Sequence, residues 1–541
     1  MGEDLRIIKH PILGARAEKR VVFTFDGREV EGIEGEPIAV ALQAAGLRKL
    51  GAHERTGEPR GLFCGIGHCF GCRVTVDGEA NVRSCITPLS AGMEVLSQGR
   101  FPEDFPEPRP LSEGQVAAGP KPVEDRPVGT PTVRRHVDVV VVGGGPAGLS
   151  AALAAANQGA KVVVLDEQPQ PGGRLLSQVH ENPRRKGEWF NGPRIAADLV
   201  ENMVSAGVEF RGQTQVWGLW PRWLVSITGS GAEDGESIEA SAVIVATGAA
   251  QACQPFPGWT LPGVISVGAA QTLLHRFRLR PGHHCLVVGA DPLALAVAGE
   301  LALLGSQVHS VVLPPPGPAA GELAEPREAI ASVSRLADIA PSPFLRSAGH
   351  VVSRAAAAGA MGAILFPKQG IKVQGVPMAL RRCVIRATGD DTVKGAVLAD
   401  LTADGRVIAG SETSVDVDCI CVSGDLYPLI ETLEVAGQGG FASVEALGGR
   451  VPLYGPDMRV GGGLFVAGSA SGVEGAQVAM AQGRLAGIGA AAFLGRVPPS
   501  ELADMLEQAA RDVETARREA FLTFRPGIPE GRSFISRHWP V

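Results

Sequence analysis

Four of this chain's nine cysteines fall within 23 residues, in FCGIGHCFGCRVTVDGEANVRSC (residues 63–85). They are Cys64, Cys69, Cys72 and Cys85, spaced C-x4-C-x2-C-x12-C. Thiolates ligate soft metals, and three ligands this close together need a loop that wraps the metal. Gly65, Gly67 and Gly71 provide the permissive backbone for it. Structural zinc favours paired C-x2–4-C knuckles, and only Cys69 and Cys72 make one. The C-x4-C-x2-C opening is the run found in plant-type [2Fe–2S] ferredoxins, although those have the fourth cysteine much further along the chain. A [2Fe–2S] cage is therefore expected, with zinc and disulfide pairing as the alternatives. His68, inside the loop, is expected to face solvent because four thiolates complete the cage.

A second constellation follows. V-V-G-G-G-P-A-G-L carries G-x-G-x-x-G at Gly143, Gly145 and Gly148, with Pro146 and Ala147 inside the turn. The apolar run VDVVVV precedes it, a helical pattern follows, and Asp166 ends the next strand 23 residues after Gly143. This is the full context of a dinucleotide site. Gly143 makes the turn, Gly145 lets the backbone approach a pyrophosphate at the helix N-terminus, and Gly148 lets helix pack on strand. Three later segments continue as in two-dinucleotide-binding flavoproteins of the glutathione/thioredoxin reductase type. EQPQPGGRL (167–175) contributes Glu167, Gln168, Gly173, Arg174 and Leu175. SAVIVATGA contributes Thr247 and Gly248. GGGLFVAGSASGVEGAQ contributes Gly468, Ser469, Gly475 and Ala476, and Val216 completes the set. Such flavoproteins carry Asp where this chain has Ser469, and serine brings no carboxylate. FAD is the expected occupant, with NAD or another adenine nucleotide as the alternative.

The same strand–turn–helix pattern recurs in HHCLVVGADPLALAVAGELALLGSQVHSVVL (residues 283–313). Here the glycine positions read Gly289, Asp291 and Ala294, and Val312 stands where the ribose acid belongs. Asp291 would repel a pyrophosphate. The second copy is expected to keep its fold without binding nicotinamide. Cys419 and Cys421 read as strand core, and Cys253, Cys285 and Cys383 have no companions at ligand spacing. Trp259 reads as packing, and His283–His284 as lacking metal partners.

The elements that must position these groups follow. Asp26–Gly27 and Asp77–Gly78 each sit between alternating apolar residues and predict hairpins. Residues 37–47 predict a helix ending near Gly46. The expected domains are a ferredoxin-like module at 1–100 and a Pro/Gly-rich linker at 101–135. Then come a nucleotide-binding domain at 136–255, a degenerate one at 256–425, the return of the first at 426–495, and a helix with an irregular tail at 496–541. The 541 residues include 45% hydrophobic ones, enough for several cores, and the net charge of −7 argues against nucleic-acid partners. No secretory h-region and no long apolar run are visible, so a cytoplasmic chain without a membrane span is expected.

The motif F-C-G-I-G-x-C-x-x-C-x-V-x-V-D-G, followed by C-x-T-P and G-M-x-V, resembles the small ferredoxin-like subunit of hydrogen cyanide synthase and of opine and proline dehydrogenases. With the nucleotide segments, the chain is similar to that subunit fused to the large subunit, or to the N-terminal half of a heterotetrameric sarcosine oxidase α subunit. The resemblance implies a glutathione/thioredoxin reductase-like α/β flavoprotein with an N-terminal α+β ferredoxin-like (β-grasp) domain. It implies an electron-transfer subunit with a [2Fe–2S] cluster and FAD, and FMN at a subunit interface in some relatives. It also implies a D-amino-acid-oxidase-like β subunit and a sarcosine, proline, hydroxyproline or opine substrate, with a small-molecule electron acceptor. A self-sufficient FAD/[2Fe–2S] reductase and a non-catalytic nucleotide-binding assembly subunit are the alternatives. No catalytic acid–base set is expected in this chain. No cysteine follows Cys421, so the second-cluster domain of some relatives is not expected.

Overall fold

The computed structural model describes the chain except residues 1–4, 16–17, 100–131, 183–186, 230–234, 335–365, 368–369, 374, 521–524 and 540–541. Most of the expected linker thus lies outside the described residues, and the strand that follows it begins at Thr132.

The two Asp-Gly pairs make hairpins. Strands β1 (Arg20–Phe25) and β2 (Arg28–Ile33) pair antiparallel, and Asp26 and Gly27 take φ of 48° and 75°. Both values lie in the left-handed region that two-residue hairpins prefer. Helix α1 (Ile38–Ala44) follows. The second hairpin joins β3 (Arg73–Val76) to β4 (Glu79–Arg83), and β5 (Glu94–Ser97) closes the sheet in the order β2-β1-β5-β3-β4. β1 and β5 run parallel. Phe23, Ile38, Leu42 and Leu89 fill the space between sheet and helix. This is the expected β-grasp module.

The valine runs become parallel strands buried on both faces. They belong to a sheet of β6 (Thr132–Val142), β7 (Val162–Leu165), β8 (Glu209–Arg211), β9 (Thr214–Trp220), β10 (Leu224–Gly229) and β11 (Glu236–Val245), ordered β8-β7-β6-β11-β10-β9. Helix α2 (Pro146–Ala156) connects β6 to β7, and α3 (Gly192–Ser205) precedes β8.

The chain leaves this sheet through β12 (Ala249–Gln251) and builds a second one. Its strands are β13 (Val264–Ser266), β14 (His284–Val288), β15 (Gln307–Leu313), β16 (Val376–Thr388), β17 (Gly395–Asp400), β18 (Thr413–Asp416) and β19 (Cys419–Val422). They are ordered β13-β19-β14-β15-β16-β17-β18. Helices α4 (Val267–Gln271) and α5 (Pro292–Leu303) belong to it. The chain returns through β20 (Leu426–Pro428), antiparallel to β12, and β21 (Leu464–Val466) docks parallel on β11. The second unit is therefore an insertion, entered and left through one strand pair. Helix α6 (Ala476–Phe493) then packs against α2 and carries α7 (Pro499–Glu519) on its outer side. The tail is not irregular: residues 528–538 form helix α8 (Ile528–His538).

The apolar cores divide the molecule unexpectedly. The ferredoxin module shares one continuous core with the second unit, which joins Phe23, Leu42 and Leu89 to Leu274, Val287 and Leu301. The first nucleotide unit has its own core around β6, β7 and β11. No helix among the described residues is long and apolar enough to cross a membrane.

Candidate cofactor sites

The cysteine loop runs from Phe63 into β3. Its glycines are needed where they stand: Gly65 and Gly67 have φ of 67° and 86°. A Cβ on Gly67 would lie 2.9 Å from the Ile86 side chain, and one on Gly65 would lie 3.2 Å from Ala269 Cβ. No disulfide joins any of the nine cysteines. The Cys69 amide donates to the Cys64 sulfur at 3.4 Å, and the four thiols lie close enough to shift one another's ionisation. Cys64 is hydrogen-bonded to Cys69 and Cys85, and Cys85 also to Cys72. Hydrogen bonds from Cys69 and Cys85 hold the Cys64 thiol well below the ordinary range. Among the described residues no group of three or more His, Cys, Asp or Glu side chains meets the geometry for a single metal ion. Four thiols on one loop are the number that two irons with two thiolates each require. Cys69 is exposed while Cys72 and Cys85 are buried, so the loop presents one thiol outward. His68 is exposed, as expected, and its Nε2 also lies 3.0 Å from the Tyr427 hydroxyl of β20, tying the loop to the strand pair that joins the two units.

The loop is also seated on the first nucleotide unit. Arg83 donates to Glu167 (2.8 Å) and to the Gly67 carbonyl (2.9 Å). Gln168 Nε2 donates to the Ile66 carbonyl (3.4 Å), and the Ser266 amide of the second unit donates to the Phe63 carbonyl (2.9 Å). Trp259 packs edge-on against Phe63, as a packing residue should.

At the first glycine turn, Gly143 has φ of 107°. A Cβ on Gly148 would fall 1.8 Å from the Gly143 carbonyl oxygen, so strand and helix meet here only without side chains. Helix α2 starts from Gly145 and α6 from Gly475, and neither N-terminus carries a side-chain cap. A Cβ on Gly145, Gly248 or Gly475 would meet nothing within 4 Å. Side chains are thus absent from these three positions, and the uncapped amides that open α2 and α6 are the donor set that a dinucleotide pyrophosphate takes. Gly173 has its Cβ position 2.7 Å from Gly145 Cα. A Cβ on Gly468 would lie 2.6 Å from Ala147 Cβ. Ser469 is half-buried in the short turn Gly468–Ser471. Thr247 donates to the Leu429 carbonyl at 2.6 Å. Val216 packs against the core of this unit.

Of the two acids after β7, Asp166 accepts the amides of Gly144 and Gln168, and burial pushes its carboxyl up to about 6. Glu167 is the more open of the pair and is already engaged by Arg83. Spacing along the chain singles out Asp166. It carries no signal that a ferredoxin residue reaches the neighbouring acid.

The second copy has the expected strand, turn and helix, but Asp291 does more than repel an anion. It is the N-cap of α5, and its carboxylate accepts the amides of Leu293 (3.0 Å) and Ala294 (3.1 Å). The donors that a pyrophosphate would need are already taken. Nearby, Cys285 has no companion at ligand spacing along the chain, yet the sheet brings two other cysteines to it. β14 pairs with β19, so Cys285 lies opposite Cys419, and it hydrogen-bonds to the thiols of Cys419 and Cys421, themselves 3.8 Å apart. All three are buried core residues. A cavity of about 410 Å³, lined by Pro37, Ile86, Gln168, His275 and Arg276 among others, opens beside the ferredoxin contact and outside the glycine turns.

Residues 18–100 match the family described as a 2Fe-2S iron-sulfur cluster binding domain, and residues 137–321 match the pyridine nucleotide-disulphide oxidoreductase family. The A subunit of opine oxidase from Rhizobium meliloti (strain 1021) is 30% identical over 401 residues, 72% of this chain and 76% of that one. The chain belongs to the family of opine oxidase A subunits. The corresponding protein of Agrobacterium tumefaciens (strain Ach5) is 29% identical over 378 residues, so the chain spans 66% of that relative's length. The sarcosine oxidase alpha subunit of Rhizobium meliloti (strain 1021) is 29% identical over 336 residues, 54% of this chain and 34% of that one. L-proline dehydrogenase from P. horikoshii shares the fold, with a TM-score of 0.61 and 20% identity over 91% of this chain and 78% of that one. This member of the opine oxidase family is an FAD-dependent oxidoreductase with a [2Fe–2S] domain.

Proposed function

We propose that this chain is the electron-transfer, α-type subunit of a heteromeric flavin-dependent dehydrogenase. Its substrate is a secondary amine or amino acid of the sarcosine, proline, hydroxyproline or opine kind, and its partner a D-amino-acid-oxidase-like β subunit. Flavin supplies two-electron chemistry and a [2Fe–2S] cluster one-electron chemistry. Cys64, Cys69, Cys72 and Cys85 hold the cluster. The amides at the N-termini of α2 and α6 receive the pyrophosphate of FAD, and Glu167 with Asp166 faces its ribose. The observation that carries this reading is the seating of the cysteine loop on the nucleotide unit, through Arg83 to Glu167 and Gln168 to Ile66. One surface of the loop reaches the nucleotide site while Cys69 faces outward, the arrangement a relay needs. Asp291 supports the same reading, because a capped second site offers no entry for NAD(P)H.

The test is anaerobic purification of the tagged chain from its own cells, followed by native mass spectrometry and substrate reduction. A complex with a second flavoprotein chain, bleached by one of these amines, is the expected result. In that complex Cys69→Ser leaves flavin reduction by substrate intact and stops turnover with an acceptor. A chain that purifies alone and oxidises NAD(P)H overturns the proposal.

A further inference from the structure

Arg174 belongs to the G-G-R turn, one residue after Gly173. Its guanidinium donates to the Thr272 hydroxyl (2.9 Å) and the Gly268 carbonyl (3.1 Å), both neutral. Desolvation lowers its pKa. Among the described residues no carboxylate is within ion-pair distance of it. Glu300 acts on it from further away, and Glu300 is itself occupied by His275 at 3.0 Å and Gln271 at 3.2 Å. A desolvated cation held only by neutral acceptors is costly unless an anion compensates it.

Arg174 lies beside residues of both candidate cofactor sites. Gly268, whose carbonyl binds the guanidinium, adjoins Ala269, and Ala269 is the residue that the cluster-loop glycine Gly65 abuts. Thr272, which accepts from Arg174, lines one small void with Gly65, Ala269 and the cluster cysteine Cys85. Next to Arg174 in the chain, Gly173 touches Gly145 at the pyrophosphate turn. Arg174 thus neighbours both the cluster loop and the nucleotide turn. Adding one electron beside Cys64 raises the negative charge there by one unit, and a fixed cation in a desolvated site stabilises that state.

We infer that Arg174 is the counter-charge of the iron–sulfur site and raises its reduction potential, setting the direction of electron flow between flavin and cluster. This rests on the assignment of Cys64, Cys69, Cys72 and Cys85 as cluster ligands. Arg174 acts through the field it imposes, as a positioning residue, and touches no reacting atom.

The experiment is a dye-mediated redox titration of the purified chain with its cofactors, reading the reduced cluster by its paramagnetic resonance signal and the flavin by absorbance. In Arg174→Gln the ratio of reduced to oxidised cluster at a fixed potential falls about tenfold, a shift of about 59 mV for a one-electron couple. Arg174→Lys keeps the charge and restores most of the ratio. Should the glutamine variant not fold, Arg174→Met removes the charge while filling similar volume and carries the same test. An unchanged ratio in the charge-removing variants overturns the inference. Loss of flavin with an unchanged cluster ratio also overturns it, and assigns the cation to the nucleotide phosphates instead. Absence of a cluster signal from the wild type refutes the ligand assignment and the inference with it, and is told apart from the other outcomes because it needs no Arg174 variant.

Discussion

At the first repeat, α2 starts from Gly145 and no side chain caps it. At the second, the equivalent residue is Asp291, and its carboxylate holds two of the amides that open α5. Strand, turn and helix are otherwise alike, down to Gly143 and Gly289 with φ of 107° and 117°. A helix N-terminus attracts an anion in both cases. One repeat leaves that place for a ligand, and the other fills it from its own chain. Binding and stability are thus alternative uses of the same unsatisfied donors, and a single residue decides between them.

The comparison predicts its own reversal. Gly145→Asp in the first repeat meets no steric barrier, because the residue has φ of −80° and ψ of −175° and its Cβ position is open. The variant folds, and FAD affinity falls about a thousandfold, roughly 4 kcal/mol. Bound flavin measured by absorbance checks this, and full flavin occupancy would break the comparison. Asp166 gives the next effect. Burial raises its carboxyl from 3.8 to about 6, so the fold favours the neutral form. Its contribution to stability is complete below about pH 4 and is lost as pH rises through about 6, about 3 kcal/mol in the nucleotide-free protein. Denaturant unfolding at several pH values should show wild type losing that amount relative to Asp166→Asn. The smallest effect is Asp291→Ala, which removes a cap and costs about 1 kcal/mol. It should not create NAD(P)H oxidation, because Val312 supplies no ribose acid and Ala294 replaces the third glycine.

Much of this was legible in residue order. The hairpins at Asp26–Gly27 and Asp77–Gly78 follow from local twist, and the valine runs of β6 and β7 from burial on both faces. The carboxylate at the phosphate position of the second repeat was legible because it is a local fact. Its physical role was not, since Asp291 acts by accepting amides rather than by repulsion alone. Nor was the C-terminal helix α8 legible. Its Arg532 pairs with Glu474, next to the start of α6, and that stabilisation comes from a residue distant in the chain.

The spacing of thiols and glycines by itself determined which chemistries this protein carries, because a metal loop and a pyrophosphate turn are both built from residues close in sequence. Only the tertiary structure decided how they meet. It paired Arg83 with Glu167, set His68 on Tyr427, gathered Cys285 with Cys419 and Cys421, and held Arg174 on Thr272 and Gly268. The reason is the shared core. The ferredoxin module and the second unit contribute to one apolar cluster, Leu42 and Leu89 from the first and Leu274 and Leu301 from the second. Apolar burial of that kind has no sequence spacing to announce it, because it is non-directional and depends on which surfaces the whole chain brings together.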